Sequence, residues 1–386
     1  MPTISNPKRC DIAITGKCNL NCRYCYYADE MASKIDLPTA DWLSCFDQLA
    51  KLGVMEVGIT GGEPFLRTDL FQVIDGIIEN RMRYNICTNG TLINESVLAS
   101  FDTGKRRLRL NNIQLSVDGS RAEIHNLSRP DSFERVIPAV RLLKARQFPV
   151  EVRVTINRHN LNDLENIARL ILDDLGLPSF STGEAFAMGM GCTNQHEVTL
   201  TSAEQFSAMK KLDLLLEKYP GRIIAQAGPL AKRRAFTEME DARLSGVKTS
   251  RWCMGSLSGC GCVFSRIDVL HNGDIVPCHI LHGFVMGNIK ADSLGDIWQN
   301  HPYLIALRNR RNNPMQEVFG CENCVWASFC NGSCPAMAKE ISRDFNSPSL
   351  FDCYRHFLEE SSDEVQQYIK SRMTTPGKSE RQINAL

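Results

Sequence analysis

Apolar residues in the first 220 positions fall into short β-branched runs separated by stretches with three- and four-residue spacing. The runs at 10–15, 56–60, 84–88, 113–117 and 150–156, with a weaker one at 180–185, predict six strands. Helical spacing between them predicts helices over 39–52, 69–80, 94–101, 132–145 and 162–175. A further helix starts at Thr201, where Glu204 three residues on forms a capping-box signature. Strands alternating with helices of this length mean βαβ units and parallel pairing. The expected fold is therefore α/β, either a partial (β/α)6 TIM-like barrel or a doubly wound sheet. In both, ligands bind outside the carboxyl ends of the strands. The unusual loops lie at that end: 16–31 after the first strand, 61–68 after the second, and Asn89-Gly90 after the third. Asp118-Gly119 follows the fourth, and a Gly- and Met-rich segment from Gly183 to Cys192 follows the sixth.

The pattern then changes. Residues 221–251 read as a basic, helix-prone connector, and 252–354 hold nine cysteines and many glycines with little long periodicity. Such a segment needs metal as a staple to fold. A C-terminal helix is expected within 355–386, to about residue 372, with a polar, disordered tail beyond it. The 386 residues thus divide into a barrel over 1–220, the connector, a cysteine-rich domain and the C-terminal piece. A hydrophobic fraction of 43% excludes disorder as the main state, and 44 basic against 44 acidic residues argues against nucleic-acid or anionic-membrane binding. No apolar run approaches a bilayer span, and residues 1–10 lack the apolar stretch of a signal peptide, so the expected compartment is the cytoplasm. In that reducing setting, 16 cysteines point to metal or catalysis rather than disulfides.

Cys18, Cys22 and Cys25 form C-x3-C-x2-C, with Tyr24 before the last. Three thiolates on a short loop can hold three irons of a cubane and leave the fourth open to a ligand. A zinc loop that borrows a fourth ligand is the alternative. Gly61-Gly62-Glu63-Pro64 follows the second strand, where glycines expose backbone carbonyls to a ligand ammonium group.

This combination resembles the radical S-adenosylmethionine (SAM) enzymes over about residues 10–220. The resemblance implies that Cys18, Cys22 and Cys25 ligate a [4Fe–4S] cluster whose free iron is chelated by SAM. It implies that Gly61, Gly62, Glu63 and Pro64 hold the methionine amino group, and that Tyr24 lies near the adenine. By position, Ser116 and Asp118 are candidates for the ribose or carboxylate, with Asn89 and Arg153 in the same environment. One electron then cleaves the sulfonium, and the 5′-deoxyadenosyl radical takes a hydrogen from the substrate. A flavodoxin- or ferredoxin-type donor is the implied electron source.

Downstream lie Cys253, Cys260, Cys262 and Cys278, then Cys321-x2-Cys324-x5-Cys330-x3-Cys334, and Cys353. With Gly273 ahead of Cys278, this order resembles the SPASM extension of radical SAM enzymes, which carries two auxiliary [4Fe–4S] clusters, for three clusters in all. The resemblance gives Cys278 and Cys334 to the nearer auxiliary cluster. Cys253, Cys260 and Cys262 supply one cysteine more than it needs, and Cys253 with Cys260 is the preferred pair. Cys321, Cys324, Cys330 and Cys353 go to the distal cluster. Structural zincs are the alternative reading of this knot.

Of the remaining cysteines, Cys10, Cys45 and Cys87 read as small buried apolar residues. Cys192, on the expected catalytic face, is either part of a flexible substrate-facing lip or a reactive thiol. His279 directly follows Cys278, where the sulfatase-maturating relatives carry an Asp as general base. That difference argues against sulfatase maturation and leaves His279 as the candidate acceptor of the proton released on oxidation. The resemblance makes a ribosomal peptide or protein the expected substrate. Because the first strand starts near Cys10, a separate leader-recognition protein or the barrel mouth and connector would take the place of a leader-binding domain. Lys232, Arg233, Arg234, Arg308, Arg310 and Arg311 are read either as contacts for an acidic leader or as solvated helix faces. A small-molecule oxidase or decarboxylase and a non-catalytic electron carrier are the alternative functions.

Overall fold

The structure, a computed structural model, describes residues 4–31, 35–248 and 254–373. Ten strands are formed among them: β1 (Arg9–Ala13), β2 (Glu56–Thr60), β3 (Arg83–Thr88), β4 (Leu110–Ser116), β5 (Val150–Ile156), β6 (Phe180–Glu184), β7 (Ile223–Ala225), β8 (Arg266–Val269), β9 (Asp274–Val276) and β10 (Gly287–Asn288). The chain divides into two compact units.

The first unit comprises Met1–Ser181, Ala185–Thr199 and Cys262–Ala306. Here β1 to β5 pair in chain order, all parallel, as the crossover helices between them require. The helix Thr39–Lys51 buries Trp42, Cys45, Phe46 and Leu49, and the helix Leu70–Glu79 buries Leu70, Val73, Ile74 and Ile77. This three- and four-residue spacing makes one apolar stripe per helix. Alternate residues of β1 turn to opposite faces. Cys10 and Ile12 are fully buried, whereas Arg9 bridges Asp11 and Glu56 at 2.6 Å each, and Arg266 reaches Asp11 at 3.1 Å. The result is the partial (β/α)6 TIM-like barrel that the strand–helix alternation predicts.

All six predicted strands are present. The helix expected over 162–175 is α-helical at Leu164–Arg169 and continues as a π-helical turn, Leu170–Asp174. The short strands β8 to β10 were not expected. β8 pairs in parallel with β1, from Arg9↔Arg266 to Ile12↔Val269, and β9 and β10 follow it antiparallel.

The second unit comprises Thr182–Glu184, Leu200–Gly261 and Leu307–Leu386. The helix Ser202–Lys218 opens with the expected capping box between Thr201 and Glu204. The connector region holds β7 and the helix Pro229–Ser245, and the expected C-terminal helix is two, Tyr354–Glu359 and Asp363–Met373. Phe206, Met209, Phe236, Met239, Tyr354, Phe357, Val365 and Ile369 form its core, with Phe236 stacked on Tyr354 at 4.7 Å. Each such side chain contributes about 1.5–3 kcal/mol by burial. The tail from 374 on and Cys253 lie outside the described residues. Among the described residues no helix is long and apolar enough to cross a membrane.

Candidate functional site

The cysteine loop and the GGEP strip are built against each other. The β1–β2 ladder continues past the strands: Ile14 N donates to Thr60 O, Gly62 N to Thr15 O at 2.8 Å, and Glu63 N to Lys17 O at 2.8 Å. A Cβ at Gly62 would sit 2.1 Å from Lys17 O, and at Gly61, where φ is +132°, 2.5 Å from Thr15 O. Two glycines are therefore needed for the strip to lie this close. Among the described residues the carbonyls of Gly61 and Gly62 accept no hydrogen bond. They remain available to a ligand ammonium group.

Glu63 is fully buried and faces the neighbouring strand end. Thr88 Oγ1 donates to it at 2.7 Å, Asn89 N at 2.8 Å and Phe65 N at 3.2 Å. Burial holds its carboxyl above the usual carboxylate range, against the opposing pull of these three donors. Pro64 opens the short 3-10 turn Pro64–Leu66. Asn89 donates to Asn19 of the cysteine loop at 2.9 Å, and its own oxygen is taken by Thr91. Thus Glu63 and Asn89 clamp three loops together.

Cys18, Cys22 and Cys25 are half-buried free thiols. Burial raises all three, and Cys25, beside the charges of Cys22 and Cys18, is pushed up to about 11. Donors already point at these sulfurs: the backbone of Leu20 at Cys18, that of Tyr27 at Cys25, and Arg129 Nη1 at Cys22, 3.6 Å away. Buried thiols that raise one another, supplied with N–H donors, fit a metal cluster that takes them as thiolates.

Arg129 was not singled out in the sequence. Its Nε donates to Asp118 Oδ2 at 2.6 Å, and Tyr24 OH donates to the same oxygen. Thr155 N donates to Asp118 Oδ1 at 2.7 Å, so this fully buried carboxylate is saturated. His125 accepts from Asp118 N at 3.1 Å and meets Ser132 Oγ at 2.9 Å; burial lowers it to about 4 and keeps it neutral. His125 lies on the helix Ala122–Ser128 and Arg129 caps its C-terminal end, so no pattern within the helix marks the pair in the sequence. Asp118, Arg129, Tyr24 and Cys22 thus form one charged cluster beside the thiol loop. Ser116, the last residue of β4, stands in register opposite Arg153 in the middle of β5, and both are half-buried.

The segment after β6 packs on the same loop. Met190 N donates to Cys25 O at 3.0 Å, and Asn194 Nδ2 to Arg23 O at 2.9 Å. Gly189, at φ +52°, lies so near that a Cβ would be 2.6 Å from Cys25 O. Cys192 is exposed on the short helix Met190–Thr193. Tyr26 and Phe186, with ring centroids 6.1 Å apart, form an apolar wall there.

His279 is buried and held by Asp268, whose Oδ2 accepts from His279 N at 2.8 Å and lies 2.7 Å from Nδ1. Nε2 has no hydrogen-bond partner among the described residues. An orienting carboxylate with one free ring nitrogen is the arrangement of a proton acceptor. Cys262 and Cys278 share the neighbourhood of Arg266 in the same unit.

In the second unit Cys321, Cys324, Cys330 and Cys353 line one cavity with Trp326, Asp352 and Tyr354. Burial pushes Cys330 up to about 12 and Cys321 to about 11, and the neighbouring thiols add to both. Cys260 and Cys334 come together through their chain neighbours, since a Cβ at Gly259 would lie 2.2 Å from Ser333 O. Among the described residues no three His, Cys, Asp or Glu side chains converge on a single-ion site. The basic residues proposed to meet an acidic leader do not do so as a set. Lys232, Arg308 and Arg310 are 5%, 3% and 2% exposed, and Lys232 pairs with buried Glu184 at 2.9 Å. Cys10 and Cys45 are fully buried as expected, while Cys87 is half-buried.

Comparison with known proteins matches residues 12–171 to the Radical SAM superfamily and residues 260–325 to SPASM, an iron–sulfur cluster-binding domain. The chain is 28% identical over 360 residues to a PqqA peptide cyclase of Granulibacter bethesdensis, covering 90% of this chain and 87% of that one. It is 27% identical over 355 residues to an AdoMet-dependent heme synthase of Methanosarcina barkeri, covering 89% and 95%. Among solved structures, Streptococcus suis SuiB bound to precursor peptide SuiA shares the fold, with a TM-score of 0.72 and 18% identity over 91% of this chain and 77% of that one.

Proposed function

This chain belongs to the radical SAM superfamily and carries a SPASM iron–sulfur domain, and from that premise we propose that it is a cytoplasmic oxidase that crosslinks or oxidises a ribosomal peptide. The observation that carries the reading is the three-thiol loop clamped to a glycine strip with open carbonyls, beside the Asp118–Arg129 pair. When bound, SAM and the reduced cluster supply a 5′-deoxyadenosyl radical. Cys18, Cys22 and Cys25 would hold that cluster, and the open carbonyls of Gly61 and Gly62 would accept from the methionine ammonium. Arg129 and Tyr24 fix the anionic side of the site, while Ser116, Asn89 and Arg153 border it. The apolar wall of Tyr26 and Phe186 excludes water from the reacting face. His279, oriented by Asp268, would take the proton that leaves the substrate radical, and the nearer auxiliary cluster would accept the electron that leaves with it.

The proposed complement is three [4Fe–4S] clusters, one on the first loop and two on the cysteines of 252–354, fed by a flavodoxin or ferredoxin. A peptide substrate is favoured by the likeness to a PqqA peptide cyclase along most of both chains. The likeness to a heme synthase supports a second reading, a tetrapyrrole side chain as substrate. Deuterium transfer into 5′-deoxyadenosine separates the two. Transfer from a labelled precursor peptide encoded nearby supports the first, and transfer only from a labelled porphyrin refutes it.

A further inference from the structure

Arg129 and Arg266 stand beside thiols of this chain, and both have carboxylate partners. Arg129 pairs with Asp118 at 2.6 Å, and Arg266 with Asp11 and Asp268 at 3.1 and 3.2 Å. Arg310, in the second unit, differs. It is 2% exposed, its Nη2 donates only to the backbone oxygen of Ser347 at 3.3 Å, and its Nε has no hydrogen-bond partner among the described residues. A buried guanidinium without a partner anion is costly to a fold.

Backbone pairing shows what surrounds it. Leu257 N donates to Asn313 O at 3.1 Å and Met315 N to Gly255 O at 2.9 Å, which lays the chain leading to Cys260 along the turn after Arg310. Ser349 N donates to Gly332 O at 3.0 Å, which brings the chain leading to Cys334 beside the Ser347 segment that Arg310 grips. Cys260, Cys334 and Asp344 are the charges this arginine feels. Asp344 makes no ion pair with it within 4.0 Å among the described residues.

We propose that Arg310 is the electrostatic partner of the anionic iron–sulfur cluster that Cys260 and Cys334 help to hold, and that it sets that cluster's reduction potential. The inference rests on the cluster assignment above. Cubanes ligated by thiolates are net anions, and a fixed buried cation beside one favours the more negative, reduced form. Arg310 is thus assigned a positioning role, acting through the cluster.

The test uses full-length protein, stripped by chelator or reconstituted with iron and sulfide, carrying Arg310→Met, Arg310→Lys or the exposed control Arg311→Met. In stripped protein, Arg310→Met should leave the thermal midpoint equal to or above wild type, because a buried charge is removed. In reconstituted protein it should retain less iron and titrate by EPR at a more negative potential, with Arg310→Lys restoring most of the shift and Arg311→Met none. An equal fall in thermal midpoint with and without cluster would make Arg310 merely structural and overturn the proposal. So would an unchanged potential. If wild type with Cys18, Cys22 and Cys25 replaced by Ala takes up no cluster at all, the cluster assignment fails first and the inference with it.

Discussion

Replacing Asp118 with Asn isolates the buried ion pair beside the thiol loop. The side chain keeps its size, so no cavity opens. Its amide, however, must face either Thr155 N–H or the Arg129 and Tyr24 donors, and all of these already donate to the carboxylate. Asp118 is fully buried, and the Arg129 side chain is 13% exposed. Removing one partner of such a pair costs about 3–5 kcal/mol, and partial exposure argues for the lower end, about 3. With a urea dependence of about 2–3 kcal/mol per molar for a unit of this size, the unfolding midpoint should fall by about 1 M. Tryptophan fluorescence reports it, since Trp42 and Trp298 are fully buried in the first unit. Adding Arg129→Gln removes the stranded charge, so the double variant should be more stable than the two single losses summed, by about 2 kcal/mol. Strict additivity, or a midpoint within about 0.3 M of wild type for Asp118→Asn, would refute the view that the pair is the electrostatic anchor of this loop.

Other outcomes follow from the same geometry. Gly62→Ala drives a Cβ to within 2.1 Å of Lys17 O and should separate the strip from the cysteine loop, lowering bound iron and 5′-deoxyadenosine formation at least tenfold; wild-type values would show the loop to be pliant. Cys18, Cys22 and Cys25 replaced together by Ala should abolish 5′-deoxyadenosine on anaerobic assay, and any surviving SAM cleavage would remove that loop from the chemistry. His125 is held near 4, below its ordinary 6.5, so the unfolded chain binds a proton first as pH falls. Its stabilisation is complete above about pH 6.5 and lost towards pH 4, by up to about 3 kcal/mol. His125→Gln should flatten that part of the urea-midpoint profile, and an unaltered slope would assign it to other groups.

The barrel strands and the thiol loop were legible because their signals are local. Period-two runs, three- and four-residue spacing and C-x3-C-x2-C each lie within one element. What escaped depends on contacts between elements. Arg129 and His125 acquire meaning only when the helix Ala122–Ser128 folds back on Asp118. β8 escaped because its four residues include Arg266 and Asp268, and its partner is β1, at the far end of the chain. The charges of Lys232, Arg308 and Arg310 looked like surface features because sequence records their sign but not the core that forms around them.

The pairing of β8 with β1 sets a timetable for biosynthesis. A ribosome adds about 5–20 residues per second, so the N-terminal strand waits on the order of tens of seconds before the segment at Arg266–Val269 exists to cover its open flank. During that interval the nascent polypeptide exposes an unshielded row of amide and carbonyl groups, with Cys18, Cys22 and Cys25 already synthesised. Delivery of inorganic sulfide and iron is thus best timed to release from the ribosome, and heterologous production should benefit more from chaperone supply than from extra iron alone.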